Sequence, residues 1–226
     1  LHPVARRSPT SYYHRAGPLW DVLGDANKAR NVAVIGLGVG TCAAYFQEGE
    51  SLTFYELDPA IVNIAQNQNL FTYLADCPAK VRVVVGDARL QLEQAPDHSY
   101  DIILVDAFSS DAIPTHLLTR EALSLYDKKL APQGTLVFHT SSRYYDLTAV
   151  ITATSAERWE ALGKKSNEVL KSFQDDALYC VLRRKGDDVS ALRAAGWLSL
   201  EGYQNMCAPW SDDYINTLRP LYLMLR

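Results

Sequence analysis

The stretch NVAVIGLGVGT (residues 31–41) runs from an apolar segment directly into three alternating glycines. An apolar segment without polar alternation is typical of a strand that is buried on both faces of a parallel sheet. Gly36, Gly38 and Gly40 fall where this strand turns into the next segment. Glycine there lets the backbone approach a ligand at a helix N-terminus. The stretch therefore predicts a strand, a ligand-binding turn and a helix, in that order.

The same strand–turn–helix unit recurs along the chain. Further strands are predicted in SLTFYELD, KVRVVVGDA, SYDIILVDAF and TLVFHTSS, which begin at residues 51, 80, 99 and 135. Helical segments are predicted between them, at 41–49, 59–71, 88–95 and 120–134. This alternation predicts an α/β fold: a doubly wound, mostly parallel seven-stranded sheet with helices on both faces, in a Rossmann-like arrangement.

The two ends of the chain differ from this repeating unit. After residue 175 we predict a strand at 176–186, a helix at 188–197 and a final strand at 219–226. The sheet is therefore expected to carry an antiparallel C-terminal strand. Residues 1–30 lack clear periodicity, and we interpret them as a lead-in to one domain that spans residues 31–226.

Composition limits the classes of partner. The 226 residues carry a formal net charge of −4, and Lys and Arg do not cluster beyond short pairs. This argues against a nucleic-acid surface and permits a small cationic partner. The four cysteines lack the paired spacing of a metal or redox site. No apolar run approaches the roughly 20 residues that span a bilayer. We expect a cytoplasmic protein without a metal.

Acidic residues follow the second and third predicted strands. Glu56 lies twenty positions after Gly36, where a carboxylate can accept the hydroxyls of a ribose. Asp87 ends the next strand, where it can accept the exocyclic amine of adenine while Ala88 supplies a backbone N–H. The G-x-G-x-G spacing departs from the G-x-G-x-x-G of dinucleotide sites. These features favour an S-adenosyl sulfonium ligand over NAD.

A further carboxylate, Asp106, ends the fourth predicted strand and opens a loop at residues 107–118. An amine that is protonated at neutral pH must lose a proton before it attacks a sulfonium carbon, and a carboxylate here can attract the cation and then accept that proton. The loop is a candidate gate. Asp111 within it is suited either to binding a distal ammonium or to capping a helix.

Several segments together resemble the spermidine synthase (polyamine aminopropyltransferase) family, which shares the fold of class I S-adenosylmethionine-dependent methyltransferases. The matching segments are YYHRAGPLWDVL (12–23), VAVIGLGVGT (32–41), YELDP (55–59), VGDARLQL (85–92) and YDIILVDAFSSDAIPTHLLT (100–119). The resemblance spans about residues 10–145. The segment PWSDDYINTLRPL (209–221) resembles bacterial members in which such a domain is often attached to a membrane segment.

The resemblance implies a reaction and roles for individual residues. Asp106 is implied to take a proton from the attacking amine, and Tyr13 and His14 are implied to line the acceptor amine. The implied reaction moves an aminopropyl group from decarboxylated S-adenosylmethionine to a small diamine such as putrescine. It also allows a homodimer and a membrane segment in a longer parent chain.

The sequence departs from the family at two places that bear on substrate choice. Val39 replaces an acid of the family's glycine-rich loop, and Asp111 lies five residues after Asp106 rather than three. A methyltransferase that uses intact S-adenosylmethionine and a non-catalytic nucleoside-binding module therefore stay open, with a dehydrogenase a distant further alternative. His116 and His139 are interpreted as a loop and a core histidine. Trp210 is interpreted as a packing residue, and Asp212 with Asp213 as a solvated acidic turn.

Overall fold

The computed structural model describes residues 7–24, 29–108, 114–166 and 177–224. Within these ranges the strands are β1 (Asn31–Ile35), β2 (Ser51–Glu56), β3 (Lys80–Val85), β4 (Tyr100–Val105), β5 (Leu130–His139), β6 (Trp159–Lys165), β7 (Leu178–Arg184) and β8 (Leu198–Ser199). They form a single sheet in the order β3-β2-β1-β4-β5-β7-β6-β8. The strands β1 to β5 are parallel to one another, and β7 is antiparallel to both β5 and β6.

Short helices connect the strands. The α-helices are α1 (Pro18–Leu23), α2 (Pro59–Gln66), α3 (Ala88–Glu93), α4 (Arg120–Lys129), α5 (Leu147–Ser155), α6 (Ser190–Ala194) and α7 (Leu218–Met224). Single 3-10 turns occur at Ser11–Tyr13, Thr41–Tyr45, Thr115–Leu117 and Tyr203–Asn205. The first predicted helix, at 41–49, is thus a 3-10 turn of five residues. The predicted helix at 120–134 ends at Lys129, and β5 begins there.

Both faces of the sheet are buried at its central strands. Alternate residues of β1 enter different core clusters: Ala33 and Ile35 pack on one face, and Val32 and Val34 on the other. Because every side chain of such a strand is buried, its sequence is an uninterrupted run of apolar residues instead of an alternation of apolar and polar residues. This confirms the prediction of an α/β sheet with helices on both faces.

Part of the lead-in packs on the sheet. Leu19 and Leu23 of α1 are fully buried in the same core cluster as Phe54. Asp21 accepts hydrogen bonds from the Lys164 ammonium of β6 at 2.6 Å and from the Trp197 indole N–H at 3.0 Å. The N-terminal helix is therefore tied to β6 and to the residue before β8.

Two details of the predicted sheet are wrong. The sheet has eight described strands instead of seven, because the two-residue β8 pairs antiparallel with β6. The predicted final strand at 219–226 is instead occupied by α7 as far as Met224. Pro220 lies in the first turn of α7, where its missing N–H costs nothing, and the Asn216 side chain accepts the Arg219 N–H at 3.2 Å. These two local features stabilise a helix over an edge strand.

No helix in the described ranges has both the length and the apolar character needed to cross a membrane. All four cysteines lie in these ranges as free thiols, with Cys42, Cys180 and Cys207 buried and Cys77 partly buried.

Candidate active site

The carboxyl ends of the parallel strands meet at one edge of the sheet. Ile35 pairs with Tyr55 of β2 and with Val105 of β4, so the residues that follow these three lie side by side. Those residues are Gly36, Glu56 and Asp106. In α/β sheets, ligands bind outside this edge, at the point where the strand order reverses. Here the order reverses between β1 and β4.

A cavity of about 460 Å³ opens at this edge. Six of the predicted donor-site and catalytic residues line it: Gly36, Gly38, Glu56, Asp87, Ala88 and Asp106. Apolar and aromatic walls come from Tyr12, Ile61 and Phe108. Its volume lies within the roughly 300–1,000 Å³ that is usual for small-molecule sites. The size and polar groups fit a nucleoside with a short side chain.

The first glycine of the turn is required by its surroundings. Gly36 has φ +98°, and a Cβ there would lie 2.4 Å from the Asp106 carbonyl oxygen. Gly38 is also in the left-handed region, with φ +53° and open space where a side chain would project. Gly40 caps the 3-10 turn Thr41–Tyr45 in the left-handed conformation, beyond the residues that line the cavity. The turn therefore brings bare backbone against the cavity at Gly36 and Gly38.

Glu56 is held in place by the two loops beside it. One carboxylate oxygen accepts the Leu37 N–H at 2.9 Å, and the other accepts the Asp58 N–H at 3.0 Å. Each oxygen has a second lone pair with which it can accept a ribose hydroxyl. Asp58 caps α2 by accepting the Ala60 N–H at 2.8 Å, so Glu56 is not the helix cap.

Asp87 has two partners within the protein. Its Oδ1 accepts the Leu90 N–H at 3.1 Å as the N-cap of α3, and its Oδ2 lies 3.0 Å from His116 Nε2. Ala88 begins the helix, and its N–H is one of those without a partner inside the helix. The predicted contact with adenine stays a prediction at both residues.

Asp106 lies at the centre of a buried cluster. Its side chain is fully buried, and its Oδ1 is 2.8 Å from His139 Nδ1. Its Oδ2 accepts the Tyr13 hydroxyl. Burial and the neighbouring Asp106 carboxylate raise the pKa of Tyr13 well above its ordinary value, so this phenol stays protonated and donates. Both oxygens of the predicted catalytic carboxylate thus have partners.

His139 completes this cluster and was missed as a functional residue. Its ring is stacked between Tyr12 and Tyr179, with centroids 4.3 and 4.8 Å away, and Phe108 meets it edge-on at 4.9 Å. His139 is buried, as expected of a core histidine, but its nitrogens bond Asp106 and Ser141. The sequence signal was its place as the last residue of the strand that follows β4.

The remaining predicted residues are dispersed. His14 is buried, and neither ring nitrogen has a partner among the described residues. It follows Tyr13 in sequence but is not among the residues that line the cavity. Asp111 lies outside the described residues, as do positions 109–113 of the candidate gate.

The acidic turn near the C-terminus is only partly solvated. Asp212 forms a bidentate ion pair with Arg89 at 2.8 and 2.6 Å and accepts the Thr119 hydroxyl at 2.8 Å. Its neighbour Asp213 is exposed. Trp210 is buried in the core, which confirms its interpretation as a packing residue.

Comparison with known proteins identifies the family. The family model described as S-adenosyl-L-methionine-dependent methyltransferase matches residues 57–170. A putative O-methyltransferase from Mycolicibacterium vanbaalenii is 30% identical over 182 residues, which cover 77% of this chain and 73% of the relative. The chain belongs to the S-adenosylmethionine-dependent methyltransferase family. The family implies an S-adenosylmethionine-type co-substrate.

Relatives with a different printed activity match a shorter region. A polyamine aminopropyltransferase from Vibrio vulnificus is 35% identical over 127 residues, which cover 53% of this chain and 41% of that protein. The chain thus spans less than half the length of this relative. The resemblance to the spermidine synthase family is confirmed at this modest identity.

Solved structures support the fold. A probable spermidine synthase from Corynebacterium glutamicum superposes with a TM-score of 0.63 at 19% identity, covering 88% of this chain and 77% of that one. An O-methyltransferase from Bacillus cereus superposes with a TM-score of 0.51 at 18% identity, covering 81% and 82%. At these identities the likeness concerns the fold alone.

Proposed function

We propose that this chain transfers the methyl group of S-adenosylmethionine to an oxygen acceptor, with the His139–Asp106 pair receiving the proton. The observation that carries the proposal is the position of this pair, since Asp106 borders the 460 Å³ cavity and holds a histidine behind it. In the reaction an acceptor oxygen forms a bond to the methyl carbon. The carbon–sulfur bond breaks with its electron pair staying on sulfur, and the acceptor's proton passes to His139.

The donor would lie against the glycine turn. Because Gly36 and Gly38 carry no side chain, the nucleoside can lie close to their backbone. Glu56 would accept the ribose hydroxyls, and Asp87 and Ala88 would hydrogen-bond the edge of the adenine ring. The neutral Val39 suits this proposal, because the family's loop acid at that position is replaced. No acid at position 39 would therefore repel the carboxylate of S-adenosylmethionine.

Burial of Asp106 favours methyl transfer over aminopropyl transfer. An acceptor polyamine is a multiple cation that needs carboxylates facing it. The Asp106 side chain is fully buried with both oxygens hydrogen-bonded, so it orients His139 and Tyr13 instead of presenting a charge to an ammonium. A histidine base matches the deprotonation of a hydroxyl near neutral pH.

Aminopropyl transfer from decarboxylated S-adenosylmethionine to a small diamine is the second candidate. It is supported by a carboxylate at the end of β4 with a tyrosine hydroxyl on it, and by the aminopropyltransferase relative. The sequence alone favoured this reaction. The two candidates share the fold, the nucleoside cavity and the acid, and they differ in the donor and acceptor.

Donor preference tests the proposal. Purified protein is titrated with S-adenosylmethionine and with its decarboxylated form by calorimetry, and products are followed by mass spectrometry. We expect tighter binding of the carboxylated donor and formation of S-adenosylhomocysteine. Preference for the decarboxylated donor, with methylthioadenosine as product, would establish the second candidate instead. Donor binding without any transfer would support a non-catalytic module.

A matched pair of variants tests the donor cavity. Glu56→Gln removes the charge and leaves a single oxygen to accept the two backbone N–H groups, of Leu37 and Asp58, that the carboxylate accepts. Its affinity for S-adenosylmethionine is expected to fall about 10- to 100-fold, as for the loss of a charge-assisted hydrogen bond. Glu48→Gln makes the same change at an exposed residue and should bind as the unmodified protein does. Equal affinities for the two variants would exclude this cavity as the donor site.

A further inference from the structure

A second cavity of about 770 Å³ lies directly beside the donor cavity. The two share Tyr12 and Phe108 in their walls. The second is lined further by His139, by residues of the segment from Thr140 to Thr148, and by Lys165 and Leu178. Asp106 borders the first cavity and His139 the second, so the hydrogen-bonded pair spans the boundary between them.

We infer that the second cavity is the acceptor site and that it takes a hydroxylated, planar acceptor carrying an anionic group, in preference to a polyamine. The inference rests on the proposed function and names its substrate class. The hydrogen-bonding state of His139, the charges around the cavity and its aromatic walls support this assignment.

The Asp106 carboxylate indicates which nitrogen of a neutral His139 carries the proton. An ionised carboxylate can only accept, so the ring proton lies on Nδ1 and is donated to Asp106 Oδ1 at 2.8 Å. Nε2 is then the acceptor and takes the Ser141 hydroxyl proton at 2.9 Å, while the Ser141 oxygen accepts the Leu178 N–H at 2.8 Å. A neutral imidazole with an accepting Nε2 is the form needed by a general base. An acceptor hydroxyl that replaces Ser141 as donor would be positioned for deprotonation.

The charges around the cavity favour an anion. Arg143 and Lys165 line it, and Asp146 is the one carboxylate among its described lining residues. Asp146 is the N-cap of α5, with Oδ1 accepting the Ala149 N–H at 3.0 Å. A diamine would bring positive charge towards the exposed Arg143 guanidinium, whereas a carboxylate would be attracted to it.

The aromatic walls favour a planar molecule. Tyr12 and Phe108 stand between the two cavities, and Tyr145 lines the second. Aromatic faces bind flat rings through stacking and edge contacts. Several hydroxyl side chains, Thr140, Ser141, Ser142 and Thr148, line the same cavity and can hydrogen-bond a polar substituent.

Binding of two probe compounds tests the acceptor class without turnover. 4-Hydroxybenzoate and putrescine are titrated by calorimetry into the protein, alone and saturated with S-adenosylhomocysteine. We expect binding of 4-hydroxybenzoate and little or none of putrescine. Arg143→Gln should weaken 4-hydroxybenzoate about tenfold or more, because a charge-assisted contact is lost. Arg158→Gln, a matched change at an arginine outside this cavity, should have no effect. Tighter binding of putrescine, or equal affinities of the two variants, would overturn the inference.

A turnover measurement separates the inference from the proposed function. His139→Gln should lower methyl transfer to a hydroxybenzoate about 10²- to 10⁴-fold while leaving donor affinity unchanged. His98→Gln, at a histidine outside both cavities, serves as the control. Because Arg143 is exposed, Arg143→Gln stays informative even if His139→Gln fails to fold. If S-adenosylmethionine does not bind, the proposed function fails, whereas the probe titrations still decide the acceptor class.

Discussion

Gly36 touches the backbone of Asp106 so closely that a side chain has no room. A Cβ at this position would lie 2.4 Å from the Asp106 carbonyl oxygen. The same residue begins the turn that borders the donor cavity. One glycine therefore couples the shape of the nucleoside site to the position of the buried carboxylate.

A glycine-to-alanine pair separates contact from backbone strain. Gly36→Ala should lower the free energy of unfolding by about 1–3 kcal/mol more than Gly49→Ala does. Gly49 has a similar φ of +88° but nothing within 4 Å of its added Cβ, so it reports the strain of φ alone. Denaturant unfolding of both variants measures the difference. If both variants lose the same free energy of unfolding, the close approach of the added Cβ to Asp106 does not destabilise the fold.

Asp106 acts through the two hydrogen bonds that it accepts, from the Tyr13 hydroxyl and from His139 Nδ1. In Asp106→Asn one oxygen becomes an NH₂ group, which opposes either the Tyr13 hydroxyl or the His139 Nδ1–H. His139 can avoid this conflict between two donors by carrying its proton on Nε2. Nε2 can then no longer accept the proton of the substrate hydroxyl. We expect methyl transfer to fall about 10²- to 10⁴-fold with donor affinity retained.

A conservative control distinguishes this effect from a general loss of acid. Asp101→Asn changes an aspartate at the opposite edge of the sheet, whose Oδ2 accepts the Asn31 N–H at 2.9 Å. Asparagine can still accept that bond, so both rate and stability should be preserved. If Asp106→Asn transfers the methyl group at an unchanged rate, the His139–Asp106 pair takes no part in the reaction.

At the scale of elements, the Arg89–Asp212 pair joins three parts of the chain. Arg89 belongs to α3, Thr119 is the N-cap of α4, and Asp212 lies in the turn before α7. The side chain of Asp212 also orders the start of α3, which borders the donor cavity through Ala88. A C-terminal turn thus supports an edge of the site.

This pair predicts a dependence of stability on acid. Hydrogen bonds from the Arg89 guanidinium, with a smaller contribution from Thr119, lower the pKa of Asp212 to about 2. Its stabilising contribution is present above the ordinary pKa near 3.8 and is lost as the pH falls towards 2. Asp212→Asn should lower the melting temperature at pH 6 and flatten its fall between pH 4 and 2.

The neighbouring acid provides the control for this prediction. Asp213→Asn makes the same chemical change at an exposed position one residue away. It should leave the melting temperature and its acid dependence as in the unmodified protein. If both variants shift melting equally, net charge and not the Arg89 pair is responsible.

At the scale of the whole molecule, the order of the strands assembles the site. Five parallel strands end at one edge, and the residues at or just after those ends include Gly36, Glu56, Asp87, Asp106 and His139. The donor cavity lies at the ends of β1, β2 and β4 and at the residues that follow β3, and the second cavity lies at the ends of β5, β6 and β7. Adjacent cavities at one sheet edge are what a two-substrate transfer needs.

Donor binding should stabilise the whole domain. A ligand that binds only the folded state at 100 times its dissociation constant adds about 2.7 kcal/mol. For a chain of this size we expect S-adenosylmethionine to raise the melting temperature by about 5–10 °C. Thermal unfolding with and without donor measures this shift. The absence of a shift at saturating concentrations would mean that the cavity does not bind this donor.

Local sequence signals predicted some elements well and others poorly. The β1 and β4 runs and their terminal residues were predictable, because burial on both faces leaves long apolar segments and the ends carry polar residues. The segment at 219–226 was misassigned, because a short apolar run fits a strand or a helix equally well. Pro220 in the first turn and the hydrogen bond from the Arg219 N–H to the Asn216 side chain favour the helix.

The sequence by itself determined an α/β sheet with a nucleoside-sized site at its carboxyl edge, since hydrophobic periodicity, turn glycines and strand-end acids are local properties. Only the tertiary structure decided that His139 meets Asp106. That contact depends on β5 lying beside β4 with Val105 opposite Phe138, which places the next residues together. It likewise decided that Tyr13 closes the other side of the carboxylate, because residues 93 positions apart meet only through packing.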